Sequence, residues 1–485
     1  MRHTVRRFAG VLSLAGVMIL SAMALPVSGD DRPNIVLVYT DDLDTASMAQ
    51  LGGIRQVMAE EGTSFARSFV SYSLCCPSRA TALTGKYTHN HGVRHNVPPT
   101  GGEPEFRRLG ADQSTLATWL TDAGYRTAFV GKYMNGYNDT YVPPGWNKWF
   151  ARMGRYSAYR MNDNGTAVSY DPETEHDTDL YSRHSNDYIT SVYEEEADRY
   201  IQNAADGRKP FFMLISTDAP HQPAVPPARH QGRFGDAALP RTPSFNERNV
   251  SDKPNWVRQM PPRTSGQIDR MERLYRGRLD SMLGVEDLLR SLVEKLEEGG
   301  ELANTYIVFT SDNGYHMGQH RLPHGKRTVY EEDIAVPLMV RGPGVPAGGV
   351  RPHLVVNNDL APTFADLASA SAPGVDGRSL APLLSADPPP VPSWRKRILV
   401  ENWRSPTTTG TSPIPNFKAV RTGKMLFVRY ASGERELYDL REDPYQLRSR
   451  NPAHPANVAA VTRLRAGLRR LQHCAEEACA SAEGD

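Results

Sequence analysis

Polar side chains follow four short apolar runs of the sequence, each at the point where the run ends. The runs cover residues 34–40, 126–130, 211–216 and 305–310. The polar residues that follow them include Asp41, Asp42, Lys132, His221, Asp312 and Asn313. Because the carboxyl ends of parallel strands share one edge of a sheet, we expect these side chains to converge there. A single Asp or Asn would be an ordinary turn residue, but four such coincidences favour a ligand site.

The residue types at this edge bind a hard cation and an oxyanion together. Four of them supply oxygen ligands: Asp41, Asp42, Asp312 and Asn313. Oxygen ligands of this kind suit Ca²⁺ or Mg²⁺, and the sequence has no His/Cys cluster with zinc-like spacing. Lys132, Lys326 and Arg79 would add positive charge. The combination predicts a pocket for a tetrahedral oxyanion, which is sulfate or phosphate.

The elements that must position these residues alternate between strands and helices. The four runs and a fifth at 336–340 are apolar throughout, which is typical of strands buried on both faces of a parallel sheet. Amphipathic helical patterns lie at 114–122, 187–204 and 268–296, and the first begins with a Ser cap. We therefore predict an α/β sandwich in which helices flank a large, mainly parallel sheet.

The sequence changes character after residue 368. A Pro-rich connector at 387–390 precedes three short strand patterns at 398–401, 418–421 and 426–430, and a helical pattern follows at 461–471. We predict a catalytic domain at 30–385 and a smaller C-terminal α+β subdomain at 386–485. Residues 229–263 are rich in Pro, Arg and Asn, which predicts a long surface loop.

The first 29 residues have the layout of a secretory signal peptide. Arg6 and Arg7 lie in a basic start, an apolar run covers 8–20, and small residues follow. The alternative is a membrane anchor, but the run is shorter than the ~20 residues that a spanning helix needs. We therefore expect a secreted or periplasmic protein. No later stretch is apolar enough to span a bilayer, so we expect no stable membrane association.

The balance of charge bears on the partners. Lys and Arg number 56 and Asp and Glu number 55, which gives a formal net charge of +1. A nucleic-acid-binding protein would normally be strongly basic, so we expect no nucleic-acid partner. A local group of Lys and Arg can still bind an anionic substrate.

Two of the four cysteines are adjacent. Cys474 and Cys479 lie five residues apart near the C-terminus, and in an oxidising compartment they would bond to each other. This leaves Cys75 and Cys76 in the stretch SLCCPSRATALTGK, where a bond between neighbours would be strained. Two inert buried thiols are the alternative. Residues 77–86 are predicted to begin a helix, because Pro favours a first turn, with its N-terminal amides facing Cys75.

This stretch resembles the signature C-x-P-S-R-x-x-x-L-T-G of the type I, formylglycine-dependent sulfatases. Further segments follow the order seen in that family: YTDD, GYRTAFVGKY, STDAPH, TSDNGYHMGQH, GKRTVYEEDIAVPLMVRGPG and NNDLAPTFADLA. The resemblance covers roughly 34–440. It is strongest with the N-acetylglucosamine-6-sulfatase and arylsulfatase branch, through CCPSR…TGKYTHNH and GKYMNGYNDTYVPPGW. It implies an alkaline-phosphatase-like fold.

The resemblance implies a chemical role for Cys75. In these sulfatases the first Cys of the signature is oxidised to Cα-formylglycine by a separate formylglycine-generating enzyme. The hydrated aldehyde attacks sulfur, and sulfate then leaves as the diol collapses back to the aldehyde. Cys76 fills the variable position of the signature, which implies that it is a bystander.

The resemblance also implies the ligands and the other catalytic groups. The metal ligands would be Asp41, Asp42, Cys75, Asp312 and Asn313. The ion would be Ca²⁺, with Mg²⁺ as the alternative. Arg79 would hold the hydrated formylglycine, Lys132 and Lys326 would bind sulfate oxygens, and His221 would protonate the leaving alcohol. Asp312 would take the nucleophile's proton.

One position departs from the family pattern. Many sulfatases have a His two residues after the lysine matched by Lys132, and this chain has Met134 there. The sequence leaves three candidates for the proton transfer that frees sulfate: His89, His316 and His320. Tyr137, Trp146 and Arg263 are candidates for contacts with a sugar at the rim of the site.

The sequence favours a sulfatase that acts on a sulfated sugar, such as N-acetylglucosamine 6-sulfate, or on an aryl sulfate. The first alternative is a phosphate or phosphonate monoester hydrolase, which would use the same metal and formylglycine. The second alternative is an exported, catalytically silent protein that binds sulfated glycans, and it would require Cys75 to stay unmodified.

Overall fold

The fold is given by a computed structural model, which describes residues 1, 30–154, 160–169, 188–205, 209–404 and 413–484. The predicted signal peptide therefore lies outside the described residues, apart from Met1. In chain order the strands are β1 Asn34–Thr40, β2 Thr63–Phe65, β3 Ser68–Phe69, β4 Arg126–Gly131, β5 Lys148–Met153, β6 Arg160–Asp163, β7 Thr166–Ser169, β8 Phe211–Ser216, β9 Thr305–Ser311, β10 His316–Met317, β11 His324–Gly325, β12 Leu338–Arg341, β13 Gly349–Arg351, β14 Val355–Val356, β15 Arg397–Asn402, β16 Phe417–Thr422, β17 Met425–Tyr430 and β18 Arg435–Asp439.

The helices complete the order of elements. They are α1 Thr45–Met48, α2 Gly52–Arg55, α3 Cys75–Thr84, α4 Thr88–His91, α5 Gly102–Arg108, α6 Leu116–Asp122, α7 Ile189–Ala205, α8 Asn255–Arg258, α9 Ser265–Glu298, α10 Glu331–Ile334, α11 Leu360–Leu367, α12 Ala381–Leu384, α13 Pro455–Leu471 and α14 Glu477–Gly484. Short 3₁₀ and π turns connect several of them.

The described chain builds a ten-stranded sheet in the order β13-β2-β12-β9-β1-β8-β4-β5-β6-β7. Its centre, β9-β1-β8-β4-β5, is parallel throughout. The four apolar runs form four of these strands, as predicted, because a strand covered on both faces has no need of polar residues. The fifth run differs. It forms β12, which begins at Leu338 and pairs antiparallel with β9.

Helices cover both faces of this sheet, which confirms the α/β sandwich. On one face α7 and α9 pack over the strands, with buried side chains such as Leu279, Leu288 and Val192 against Val36 and Met213. The other face is covered by α3, α6 and α11. The predicted Ser cap at 114 is wrong, since Thr115 is the N-cap of α6 and its amide bonds Thr118 Oγ1.

A smaller antiparallel sheet lies in the C-terminal part of the chain, in the order β15-β16-β17-β18. The sequence patterns predicted the first three strands and α13, while β18 and α14 were missed. Cys474 and Cys479 form the expected disulfide, and Cys75 and Cys76 are free thiols. The predicted α+β character of this part is confirmed.

The last helix is tied to the rest of the protein by a buried ionic network. Arg395 donates to both carboxylate oxygens of Asp359, at 2.6 Å each, and to Glu483 of α14 at 2.7 Å. Glu483 also accepts from the Tyr87 hydroxyl at 2.6 Å and from Arg378 at 2.8 Å. Both carboxylate oxygens of Glu483 therefore accept hydrogen bonds, which is the condition for a buried charge to be tolerated.

Candidate active site

The parallel strands bring the predicted site residues to one edge of the sheet. Asp41 and Asp42 follow β1, Asp312 follows the Ser311 end of β9, and the backbone amide of Asp312 bonds Thr40 O at 3.0 Å. Lys132 follows β4, and its amide bonds Ser216 O of β8 at 2.8 Å. The sheet order β9-β1-β8-β4 therefore places the four strand ends side by side.

Three carboxylates form a cluster at this edge that suits a cation. Asp41, Asp42 and Asp312 are buried, and one oxygen of each lies within 4.8 Å of the others. Asp42 has a positive φ of 70°, which turns its backbone so that its amide donates to Asp312 Oδ1 at 3.1 Å. Asp42 Oδ2 and Asn313 Oδ1 are buried and have no hydrogen-bond partner in the described chain. Buried oxygens left in this state fit a hard divalent cation.

Cys75 is the first residue of α3, so this helix begins two residues earlier than predicted. Its thiol is buried, which raises the pKa of Cys75 to about 12. Lys326 Nζ donates to Cys75 Sγ at 2.7 Å, and the thiol lies 3.5 Å from Asp41 Oδ1. The Cys75 side chain therefore faces the carboxylate cluster.

Cys76 points to a different environment. Its amide donates to Asn96 Oδ1 at 2.9 Å, and its sulfur accepts from the Asn135 amide at 3.1 Å. The two thiols thus have separate partners, and the adjacent pair does not act as one unit.

Arg79 lies one helical turn after Cys75 and points to the same cluster. Its Nε donates to Asp312 Oδ2 at 2.9 Å, and its Nη1 donates to Lys132 O at 2.9 Å and to Ser216 Oγ at 2.6 Å. Burial opposes the charged form, but Asp312 and other groups raise the pKa of Arg79 above its usual value. The buried Nη2 has no hydrogen-bond partner in the described residues, which leaves a donor for an oxyanion.

Two lysines lie against the carboxylates. Lys132 forms an ion pair with Asp41, and burial lowers the pKa of Lys132 to about 7. Lys326 forms an ion pair with Asp42 and a second, at 3.9 Å, with Asp41. Burial disfavours its charge, yet Asp42 and the Cys75 sulfur raise the pKa of Lys326 above the ordinary value. Both lysines are therefore positioned to contact an anionic group bound beside Cys75.

His221 follows β8 and closes the site from the other side. Its Nε2 lies 3.7 Å from Asp42 Oδ2, and its Nδ1 donates to Gln222 O at 2.6 Å. Burial, followed by the nearby Lys132 and Lys326, holds the pKa of His221 well below its usual value. The Nδ1 bond fixes the ring so that Nε2 faces the carboxylates.

The three candidate histidines for the Met134 position differ in their surroundings. Both ring nitrogens of His89 are engaged, Nδ1 with Glu401 at 2.9 Å and Nε2 with Cys474 O at 3.0 Å. His320 is fully buried, and its ring packs on Tyr330 with centroids 4.1 Å apart. The third candidate, His316, lies on β10, which pairs with the strand that precedes Lys326.

That third residue is His316, which pairs with Gly325 across β10 and β11. Its Nδ1 bonds Asp333 at 2.8 Å, while a Cβ built on Gly325 would lie 3.4 Å from His316 Nε2. The Nε2 atom therefore faces the residue before Lys326, and Asp333 fixes the ring.

The predicted sugar contacts are only partly compatible with the structure. Tyr137 is buried at 2% exposure, bonds Trp149 Nε1 and packs edge-on against the Trp149 ring, so its assignment to the rim is wrong. Trp146 packs against Phe129 in the same aromatic group. Tyr137 and Trp149 therefore belong to the core, and Trp146 is half-buried against Trp149.

Sequence reasoning missed one residue that holds the site together. Arg278 of α9 is 1% exposed, and its Nη2 donates to Asp42 O at 2.6 Å and to Asp44 at 3.0 Å. Its Nη1 donates to Pro220 O at 3.2 Å, next to His221. The available signal was an Arg on the apolar stripe of a long helix, since such a charge must find buried partners.

Comparison with known proteins agrees with this geometry. A family model described as Sulfatase matches residues 33–370, and one described as N-sulphoglucosamine sulphohydrolase, C-terminal, matches residues 318–473. A Capra hircus protein named N-acetylglucosamine-6-sulfatase is 34% identical over 93% of this chain and 85% of its own length. A Chlamydomonas reinhardtii arylsulfatase is 32% identical over 97% of this chain and 79% of its own.

A solved structure, described as a complex with its substrate D-glucosamine-2-N,6-O-disulfate, has a similar fold. Its TM-score is 0.75 with 24% identity, over 91% of this chain and 97% of that one. The match of the sulfatase family model to well over half of the chain agrees with the signature at Cys75 and the acidic cluster that faces it. On this evidence the chain belongs to the sulfatase family and is a sulfuric ester hydrolase.

Proposed function

We propose that this sulfatase removes the sulfate ester from a sulfated glucosamine-type sugar, with N-acetylglucosamine 6-sulfate as the leading substrate. The relatives named N-acetylglucosamine-6-sulfatase support this substrate class. The observation that carries the reaction type is a set of buried polar atoms around the carboxylate cluster that faces Cys75, each without a hydrogen-bond partner in the described residues. These atoms are Asp42 Oδ2, Asn313 Oδ1 and Arg79 Nη2.

The carboxylate cluster supports a resident divalent cation. Asp41, Asp42, Asp312 and Asn313 would hold it, with the Cys75 position completing the set, and Ca²⁺ suits these oxygen ligands as Mg²⁺ also does. A bound divalent cation acts as a Lewis acid and stabilises negative charge on oxygen. The three carboxylates lie against three basic side chains, Arg79, Lys132 and Lys326, of which Lys132, with a pKa of about 7, is only partly charged at neutral pH. A divalent ion would therefore leave the pocket positive, as an anionic ester requires.

Cys75 is proposed to carry Cα-formylglycine, made by a formylglycine-generating enzyme. As a thiol with a pKa of about 12, Cys75 would be a poor nucleophile at neutral pH. Formylglycine would supply a hydrated aldehyde as the nucleophile and an exit that needs no second attack on sulfur. Lys326, at 2.7 Å from Sγ, is placed to contact groups on this position.

The other roles follow from the contacts at the site. Arg79 would donate Nη2 to an oxygen on residue 75 or on sulfate, while its Nε bond keeps Asp312 in place. Lys132 and Lys326 would stabilise the charge on the sulfuryl oxygens. His221 would protonate the leaving sugar oxygen through Nε2. Because its Nδ1 proton is donated to Gln222 O, and because burial and the charges of Lys132 and Lys326 lower its pKa, Nε2 would take up this proton only after the bound sulfate ester offsets those charges.

His316 is proposed to serve in place of the histidine that Met134 replaces. Met134 is buried at 4% exposure and has no titratable group. The His316–Asp333 pair has the arrangement in which a carboxylate fixes one ring nitrogen and leaves the other for proton transfer. His320 has the same arrangement, with Nδ1 on Glu247 at 2.7 Å and a buried Nε2 that has no hydrogen-bond partner in the described residues. We favour His316 because it pairs with Gly325, the residue before Lys326.

The protein is proposed to be secreted or periplasmic, with residues 1–29 as its signal peptide and domains at 30–385 and 386–485. The Cys474–Cys479 disulfide supports an oxidising compartment. Within the described ranges every helix is too short or too polar to cross a bilayer.

Two experiments test the proposed function. Peptide mass spectrometry across residue 75 of protein from the native host should show the mass of an aldehyde in place of a thiol. The same protein should hydrolyse N-acetylglucosamine 6-sulfate and an aryl sulfate far faster than an aryl phosphate. Preferred turnover of the phosphate would support a phosphate or phosphonate monoester hydrolase. An intact thiol with no turnover would support a silent glycan-binding protein.

Variants of the adjacent cysteines give a matched pair. Cys75→Ala should abolish turnover with little change in thermal stability, because it removes the nucleophile. Cys76→Ala should keep nearly full activity, since that sulfur hydrogen-bonds Asn135 and its side chain packs in the apolar core on one face of the sheet. Equal losses of activity in both variants would contradict the assigned roles.

A further inference from the structure

A basic cleft lies between the C-terminal sheet and the proposed active site, and the reaction chemistry leaves it unexplained. We define it by Arg94, Arg327, Trp403, Lys418 and Arg429. A cavity of about 180 Å³ lies over Trp403, Lys418 and Arg429. Arg94 and Arg429 are exposed, and Arg327 and Lys418 are half-buried. Lys418 and Arg429 thus line this cavity, and Arg94 and Arg327 contact Trp403, which lines it as well.

Trp403 holds the cations of the cleft in place. Lys418 Nζ lies 4.0 Å from the centroid of the Trp403 ring, and the Arg94 guanidinium lies 5.3 Å from it. Arg327 Nη2 donates to Trp403 O at 2.8 Å. Cation–π contacts of this kind position a positive charge without neutralising it. The charges of Arg94 and Arg327 therefore stay available to an anion, while Lys418 is shared with Glu401.

Acidic partners are too few to balance these charges. In the described part of the chain, one carboxylate forms an ion pair with one of these four cations. It is Glu401, which accepts from Lys418. Glu401 is fully buried and is shared with His89 Nδ1 at 2.9 Å. Residues 405–412, which follow in the sequence, include no acidic side chain. The cleft therefore carries a net positive charge.

The small sheet places two of these cations directly opposite each other. Lys418 of β16 pairs in register with Arg429 of β17. Like charges at opposed positions of an antiparallel pair destabilise a sheet. Burial, together with Arg94 and Arg429, lowers the pKa of Lys418 despite the pairing with Glu401. An arrangement with this cost is expected where a bound anion offsets it.

The cleft is connected to the proposed site at two points. Arg327 follows Lys326, which contacts Cys75 Sγ. Tyr72 donates its hydroxyl to Trp403 O at 3.1 Å and precedes Cys75 by three residues, so the Cα atoms of Tyr72 and Cys75 are at most about 11 Å apart. An oligosaccharide with its sulfate ester at Cys75 would reach the cleft with a neighbouring sugar.

We propose that this basic cleft binds a second anionic group, a sulfate or a carboxylate, on a sugar next to the one that is desulfated. This inference rests on the proposed function, because it assumes that a sulfated sugar occupies the site at Cys75. It makes the substrate an anionic oligosaccharide rather than a monosaccharide.

The test uses Arg94→Gln/Arg429→Gln, since both side chains are exposed and lie outside the catalytic group. Arg55→Gln, an exposed Arg of α2, is the control. For a sulfated oligosaccharide with a further anionic group, the double variant should raise KM by about 10- to 100-fold with kcat unchanged, the loss expected for charged hydrogen bonds. The effect should shrink at high salt. For an aryl sulfate, both variants should match the parent protein.

Three oligosaccharides identify the recognised group: one with an extra sulfate, one with a uronic-acid carboxylate and one with a neutral neighbour. The neutral compound should show no KM difference between the double variant and the parent. Equal KM values for parent and double variant on every anionic compound would overturn the inference, while aryl sulfate turnover would still stand. Failure to turn over any sulfate ester would instead refute the proposed function. Binding of the same compounds to Cys75→Ala protein, by calorimetry, would then judge the cleft on its own.

Discussion

Replacing Arg278 with Met should weaken the fold by removing the clamp behind the metal-binding edge. The guanidinium is buried and bonds Asp42 O, Asp44 and Pro220 O, and it lies 4.3 Å from the Tyr315 ring centroid. Met has a similar length, so the cavity left behind is small. The loss is then mainly electrostatic, because two backbone carbonyls and one carboxylate lose their donor.

The size of the loss follows from these contacts. Breaking a buried ion pair from one side costs about 3–5 kcal/mol. Asp44 keeps its bonds from Ser47 N and Oγ, so we expect about 4 kcal/mol. The entropy of unfolding is roughly 2.1 cal/mol/K per residue, or about 1 kcal/mol/K for a chain of this length, and the melting temperature should fall by about 4 °C.

Differential scanning calorimetry at pH 7.5 would measure this shift. Arg276→Met is the matched control, because this Arg lies on the same helix, is half-buried and, among the described residues, makes one side-chain hydrogen bond, from Nε to Ala237 O at 3.0 Å. The control should melt within about 1 °C of the parent. The rise in melting temperature with Ca²⁺ should also be smaller in Arg278→Met, because the backbone of a proposed ligand, Asp42, is loosened. Equal melting temperatures for the two variants would refute this account of Arg278.

Three further predictions concern acid, metal and the disulfide. Burial lowers the pKa of His91 to about 3, so the unfolded chain binds an extra proton below pH 6.5. Stability should then fall by about 2 kcal/mol between pH 6.5 and pH 5, and His91→Asn should reduce that loss in thermal melts at the two pH values. Chelation by EDTA should lower both melting temperature and activity, and added Ca²⁺ should restore them; unchanged melting would contradict a bound ion. Cys474→Ala/Cys479→Ala should cost about 2 kcal/mol in urea unfolding, because the closed loop is short. A loss near zero would show that the loop is constrained without the bond.

The strand ends of the site were predictable because one simple rule governs them. A run such as 34–40 that is apolar on both faces must lie inside a covered sheet, and its next residues must lie at the edge. Asp41 and Asp312 needed no further information to be placed together. The direction of β12 was not predictable in this way, since an apolar run reads the same in a parallel and an antiparallel pair.

The residues that sequence reasoning missed depend on contacts between distant segments. Arg278 reaches Asp42 across 236 positions of the chain, and no local pattern records that pairing. Tyr137 was assigned to the rim from its residue type, whereas its hydroxyl accepts from Trp149 and Asn162 in the interior. The helix α3 begins at residue 75 rather than at the predicted residue 77, because Pro is accepted anywhere in the first turn of a helix.

The buried network around Glu483 sets the order of events during synthesis. Glu483 lies about 400 residues after Cys75, and its carboxylate contacts Tyr87 and Arg395, so this network cannot close until residue 483 has been made. At about 5–20 residues per second, that delay is on the order of 20–80 s. Because the Cys75 side chain is sealed in the finished protein, an oxidising enzyme would have to reach it during this delay. A slower ribosome over the second half of the message would lengthen the time in which Cys75 stays accessible.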